Sequence, residues 1–419
     1  MMKRALMCGG ALLALTLGGS AWAADDEIKI GFMTTLEGTY TVPGQDGQRG
    51  FQMALKEHNN MAGGKKITYS VGSTDASPDS AVRAATKLVE QDGVKIIIGP
   101  LSGSEGLAMR DFARAHPDIT VINGISGAQE TTMVDPAPNF YRFNMDGAQW
   151  GAGLGDYVVN KKGWKTVATL ADDYSFGYTN FLGFALGFCN AGGKIEKRFW
   201  VPLGTKDFAS IISALPDDVD AIFLGLGGGD AVNFLNQYQQ AGGSAHLIGG
   251  TIMADQSVFA AKGNAKKALV GTPSSGPQAD TSDDPAWKTF VKNYQDDFPA
   301  DQRFASPSLF AVGYYNATVA MLNALDKAKG DLSDGQKAFR DALSKTEMKA
   351  PNGDIKLDEN RQAIGTNFVV EVAEQPNGEL ANKLVATIPN VTQTLGLDKA
   401  TFAKIGLPSR DTPECKKYQ

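Results

Sequence analysis

The sequence predicts an α/β protein made of two lobes, each a doubly wound parallel sheet. Short β-rich runs alternate with amphipathic helical runs, the pattern of parallel strands joined by right-handed crossovers. Strands such as Ile96-Ile97-Ile98 are apolar at every position, which implies cover on both faces, as in a parallel sheet. The alternation also runs twice, with a pause near Phe140 to Gly147.

In the first run, Ile28 to Phe32 is a strand, and Gly47 to Asn60 is a helix with Phe51, Ala54 and Leu55 on one face. Ile67 to Ser70 is the next strand. Ser77 and Pro78, an N-cap and an N1 proline, open a helix that reaches Gln91. Lys95 to Ile98 (strand), Ser104 to His116 (helix) and Thr120 to Ile122 (strand) follow. In the second run the helices are Gln149 to Asn160, Tyr178 to Ala191, Phe208 to Leu215 and Ala231 to Gln240. Its strands are Thr166 to Leu170, Ile195 to Trp200, Ala221 to Leu224 and His246 to Ile248. Gly271 to Pro285 reads as a crossing segment, and helices in Pro285 to Ala328 and Asp334 to Ser344 return to the first lobe. Asn352-Gly353 and Asn377-Gly378 are turn dipeptides between β-rich runs, so the chain ends in hairpins. The expected lobes are residues 24–145 with 275–350, and 146–274 with 351–419.

The ends place the protein. Lys3 and Arg4 precede an apolar run from Ala5 to Gly19, and Ala21-Trp22-Ala23 offers small residues where a signal peptidase reads. The run is too short to span a bilayer comfortably. Cleavage near Ala23 and export to the periplasm are expected. Cys8 does not follow the apolar run, which argues against a lipid anchor. Without Lys3 and Arg4 the formal charge moves from −6 to −8, which disfavours nucleic acid as a partner. Cys189 and Cys415 remain, an even pair in an oxidising compartment, and a disulfide tying down the C-terminal tail is the expected reading, with two free thiols as the alternative.

Ligands of open α/β sheets bind beyond the carboxyl ends of strands, and three such junctions carry candidate chemistry. Gly99-Pro100-Leu101-Ser102-Gly103-Ser104 leads from a buried strand into a helix, so free N–H groups and hydroxyls gather at the positive end of its dipole, a setting for a carboxylate. An ordinary N-cap is the competing reading. Ile125, Ser126 and Gly127 follow the next strand and could share the same anion. Tyr174 and Phe176, after a second-lobe strand, could close over a ligand held by the first lobe.

Together these segments resemble the periplasmic leucine/isoleucine/valine-binding protein family. The resemblance rests on Ile28-Lys29-Ile30-Gly31-Phe32, Gly44 to Gly50, Ile98-Gly99-Pro100-Leu101-Ser102 and Tyr174-Ser175-Phe176-Gly177. Asp207-Phe208 and Ala221-Ile222-Phe223-Leu224-Gly225 continue it in the same order, so it covers about residues 25 to 405. It implies two α/β lobes joined by three crossovers that close on a small solute, a monomer without cofactor, and delivery to an inner-membrane ABC permease. It also puts Ser102, Gly103 and Ser104 on the family's carboxylate-binding turn, with Gly127 beside them. Ile125 falls where a backbone carbonyl meets the ligand's ammonium, and Phe176 where an aromatic covers the ligand. Thr251 stands where amino-acid binders carry an acidic partner for that ammonium. Either Asp173 or Asp230 replaces it, or the ligand has no ammonium. Tyr40, Tyr174 and Phe176 would suit an aromatic carboxylate.

Other classes fit poorly. Gly225-Leu226-Gly227-Gly228-Gly229-Asp230 has Asp where a dinucleotide fingerprint needs its third glycine. No nucleophile elbow and no phosphate-binding loop with Gly-Lys-Ser/Thr are present. Three scattered histidines and two remaining cysteines make a metal site unexpected, so no catalytic residue is assigned. A ligand-sensing module of a receptor system is the alternative from another class.

Overall fold

A computed structural model describes residues 27–418; the expected export signal lies outside them. The first sheet holds β1 (Glu27–Thr35), β2 (Met61–Ala62), β3 (Lys65–Thr74), β4 (Ile96–Ile98), β5 (Thr120–Ile122) and β6 (Phe140–Tyr141). Their order is β2-β3-β1-β4-β5-β6, and only β2 runs antiparallel to its neighbour. The second sheet holds β7 (Thr166–Asp172), β8 (Lys194–Val201), β9 (Ala221–Gly225) and β10 (His246–Gly249), all parallel, in the order β10-β9-β7-β8. Each sheet reverses direction at its first strand: β1 lies between β3 and β4, and β7 between β8 and β9. Such reversals leave crevices at the carboxyl ends of the strands.

A third, antiparallel sheet contains β11 (Pro273–Gly276), β12 (Glu347–Ala350), β13 (Gly353–Leu357), β14 (Ala363–Glu374) and β15 (Leu380–Val391). The two expected hairpins form, β12 with β13 and β14 with β15. The segment expected only to cross between lobes also supplies β11, which pairs with β14. Pro-Ser-Ser-Gly has no apolar alternation, so its strand character comes from its partner, not its own pattern.

Local signals explain most helices. Ser77 caps α1 (Thr41–Glu57)'s successor, α2 (Pro78–Glu90), by accepting from the Ser80 N–H. α3 (Gly103–Ala115) starts with a full capping box, Ser102 and Glu105. α1 begins six residues before the expected Gly47, because the Thr41 to Asp46 stretch packs as a helical turn. α1 lies against α4 (Leu309–Lys327). Gly50 is needed there, since a Cβ would sit 2.0 Å from the Ala311 carbonyl oxygen. Phe32 and Phe51 stack at 4.4 Å between α1 and the sheet; burying one such ring contributes about 1.5–3 kcal/mol.

One expected helix is broken. Gln149 to Asn160 becomes two short turns, Gly147–Trp150 and Leu154–Tyr157, and then a π-type turn, Val158–Lys162. Gly153 has φ of 83°, a left-handed conformation that interrupts the helix. The helical segment Ser333–Ser344 likewise begins with left-handed Asp334, Gly335 and Gln336. Among the described residues no helix is long and apolar enough to cross a membrane.

Candidate functional site

The junctions lie together, at the carboxyl ends of strands from both parallel sheets. Tyr40 follows β1, Ser102 follows β4, Ile125 follows β5, Tyr174 follows β7 and Ile252 follows β10. The two sides touch. The Tyr40 and Tyr174 hydroxyls bond at 2.9 Å, Thr39 Oγ1 donates to Asp230 Oδ1 at 2.7 Å, and Ser104 Oγ meets Ser175 Oγ at 3.3 Å. A Cβ on Gly103 would stand 2.8 Å from Ser175 Oγ and 2.9 Å from the Phe176 nitrogen, so only glycine allows this approach. Between the sides is a narrow void of about 20 Å³.

Seven of the ten candidate ligand residues border that void: Tyr40, Ser102, Gly103, Ile125, Gly127, Tyr174 and Phe176. Ser104 does not border it; its hydroxyl meets that of Ser175 at 3.3 Å. Ser126 and Thr251 do not border it. The Ser126 hydroxyl donates to Asn123 Oδ1 at 2.5 Å and packs beneath α3, where a Cβ on Gly106 would come within 2.1 Å of it. Thr251 is turned toward Asn180, which donates to its hydroxyl at 3.1 Å, and the neighbouring Ile252 forms the wall instead.

The first turn is more committed than its sequence implies. Ser102 Oγ accepts from the Glu105 N–H and donates its single proton to the Ala76 carbonyl at 2.8 Å. An anion at this helix start would therefore be met by the first-turn N–H groups of Gly103 and Ser104 and by the Ser104 hydroxyl. Glu105 lies just inside the helix, wholly buried. Burial pushes its carboxyl above the ordinary range, against the pull of hydrogen bonds from Thr74, Ser102 and Thr35.

The second turn is held from behind by Arg142, fully buried, which donates to the Ala128 carbonyl at 2.6 Å and the Ser126 carbonyl at 3.4 Å. Burial brings its pKa down to about 10 while Asp146, 3.7 Å away, opposes the change. Neither Asp173 nor Asp230 is free to meet an ammonium. Asp173 pairs with Arg410 at 2.8 Å and accepts from Tyr178. Asp230 is taken by Thr39 and by the Gly204 N–H at 2.6 Å.

Asp172 is the group the sequence reading passed over. It is wholly buried and neither carboxyl oxygen has a hydrogen bond of normal length. Burial first, and then the neighbouring Asp230, push its pKa well above the usual carboxylate value; Tyr40 and the Gly227 N–H pull the other way. Leu101, Trp150, Ile252, Leu309 and Phe310 also border the void without having been anticipated. Their positions depend on how the chain crosses between sheets, which local patterning does not encode.

The glycine run after β9 is a lobe contact and not a nucleotide turn. Gly228 has φ of 52°, and a Cβ there would be 2.3 Å from the Thr39 carbonyl oxygen. Cys189 and Cys415 are bonded to each other, 226 residues apart. Among the described residues no cluster of three or more His, Cys, Asp or Glu could hold a metal ion.

A Leu/Ile/Val-binding protein homologue from Brucella melitensis is 24% identical over 386 residues, covering 90% of this chain and 95% of that one. A solute-binding protein of an ABC transporter from Rhodopseudomonas palustris BisB5, solved with 3,4-dihydroxybenzoic acid, superposes with a TM-score of 0.79 at 27% identity. That match covers 88% of this chain and 99% of the other. A leucine-binding protein from Thermotoga maritima shares the fold, with a TM-score of 0.74 at 22% identity over 86% of this chain and 99% of its own. The family model for periplasmic binding proteins matches residues 27–378, and the chain belongs to that family.

Proposed function

We propose that this protein is the substrate-binding component of an ABC uptake transporter and that it captures an aromatic carboxylate in the periplasm. The observation that carries the choice of ligand is the make-up of the void. Its wall includes Tyr40, Trp150, Tyr174, Phe176 and Phe310, and no acidic side chain borders it. A buried ammonium without a carboxylate is costly, whereas a flat ring with one carboxylate suits an apolar slot that ends at a helix N-terminus. The R. palustris relative with 3,4-dihydroxybenzoic acid supports the same reading.

In this account residues 24–145 with 275–350 and residues 146–274 with 351–419 move as two lobes. The ligand carboxylate docks on the first-turn N–H groups of α3. The second lobe then brings Tyr174 and Phe176 over the ring, and the closed monomer is what the inner-membrane permease recognises. The protein performs no chemistry and needs no cofactor.

A branched-chain amino acid is the second reading. It is favoured by Asp172, a buried carboxyl without a hydrogen-bond partner that interacts electrostatically with both Tyr40 and Tyr174. Thermal-shift measurements on residues 24–419, refolded to strip carried-over ligand, separate the two, because a ligand that binds only the native state raises its apparent stability. Benzoate and hydroxybenzoates should raise the melting temperature while leucine does not. A shift with leucine alone would favour the amino-acid reading, and silence across both sets would favour a sensor of some other solute.

A further inference from the structure

Trp150 carries a donor that the protein itself does not use. Its side chain borders the void and is 1% exposed, yet the indole N–H has no hydrogen-bond partner. Indole nitrogen only donates, and buried Trp N–H groups normally find an acceptor. The residue is also fixed in place. Its backbone carbonyl accepts from Ser275 Oγ at 2.6 Å and from Asn367 Nδ2 at 2.9 Å, and its backbone N–H donates to the Asp146 carbonyl at 3.0 Å. The ring meets Phe176 edge-on at 5.8 Å, and its Cζ3 corner lies 3.2 Å from where a Cβ on Gly127 would be.

We propose that Trp150 is a specificity-determining ligand contact. Its indole N–H donates to a second acceptor oxygen on the ligand, away from the carboxylate, so the site selects hydroxyl-bearing aromatic carboxylates over unsubstituted ones. This rests on the aromatic-carboxylate reading above. A rigid, preorganised donor in an apolar wall is an effective discriminator, because a ligand lacking the acceptor leaves it unpaired.

The test is calorimetric titration of wild type and Trp150→Phe with benzoate, 3,4-dihydroxybenzoate and leucine. The Phe variant keeps an aromatic wall and removes only the donor and part of the ring. It should bind 3,4-dihydroxybenzoate about 10-fold more weakly, with benzoate changed by less than about 3-fold. Trp150 is buried in the core, so the smaller ring should lower the melting temperature of the unliganded variant; the donor role is read from the ratio of the two benzoate affinities and not from stability. Equal weakening of both benzoates, or no change in either, overturns the role of Trp150 while leaving the aromatic-carboxylate reading in place. Binding of leucine alone by wild type overturns that reading and this inference with it. Near-ultraviolet circular dichroism of the unliganded variant establishes that it is folded.

Discussion

Ser102 and Ser104 are two residues apart and have different tasks. Ser102 spends its proton on Ala76 and its lone pair on the Glu105 N–H, so its hydroxyl builds the helix start. Ser104 meets Ser175 through its hydroxyl, and in the proposed account that hydroxyl turns to the ligand. Ser104→Ala should weaken ligand binding by about 1–3 kcal/mol, the range for a bond to a charged group. Ser102→Ala should instead lower folding stability by about 0.5–2 kcal/mol, as for other lost caps. Titration and urea unfolding of both variants check the division of roles; the reverse pattern would contradict it. The sequence marks both serines as candidates, but the carbonyl of Ala76 comes from 26 positions away and leaves no local trace.

Asp172 invites a pH experiment at the same scale. Its pKa is raised well above the 3.8 of a free aspartate. Between that value and the raised one, the native state holds a proton that the unfolded chain has released. The Asp172 contribution to stability is therefore present at low pH and declines as pH rises through that window. Asp172→Asn, which mimics the protonated form, should match wild type near pH 4 and become progressively more stable than it toward pH 8. Parallel stability–pH curves from urea unfolding would contradict a protonated Asp172.

At the scale of elements, the regular alternation was legible because parallel strands buried on both faces have few alternatives. Ile96-Ile97-Ile98 and Thr120-Val121-Ile122 are strands as expected. The Gln149 to Asn160 helix was not legible in its true form: the glycines at 151 and 155 pack against the backbone of Ser175–Asn190, and that contact, not periodicity, sets the local path. The C-terminal tail is an element held almost wholly from outside itself. Besides the Cys189–Cys415 bond, Arg198 donates to the Pro413 carbonyl at 2.6 Å and Arg410 pairs with Asp173. Removing the disulfide by a Cys189→Ala, Cys415→Ala double substitution should cost about 2–5 kcal/mol of stability, since the bond closes a long loop. Denaturant unfolding with and without reductant measures it, and equal stability in the two conditions would mean that the tail is held by its polar contacts alone.

For the whole molecule, the sequence carried the two-lobed architecture and the three junctions, but not the way they meet. Thr39 reaching Asp230, Gly103 pressed on Phe176, and Trp150 on the wall are products of one lobe facing the other. No pattern within either half encodes them. Thr251 shows the limit from the other side: the family resemblance led to the expectation that it meets a ligand's ammonium, while its side chain bonds Asn180 and leaves the wall to Ile252.

The account stands on a ligand carboxylate held at the start of α3. Its most direct test is calorimetric titration of ligand-free protein with 3,4-dihydroxybenzoate and with the methyl ester of the same acid. The ester keeps the ring and hydroxyls but has no negative charge. The account predicts saturable binding of the acid and at least about 10-fold weaker binding of the ester, the loss of one charge-assisted bond. Equal affinity for acid and ester would contradict it.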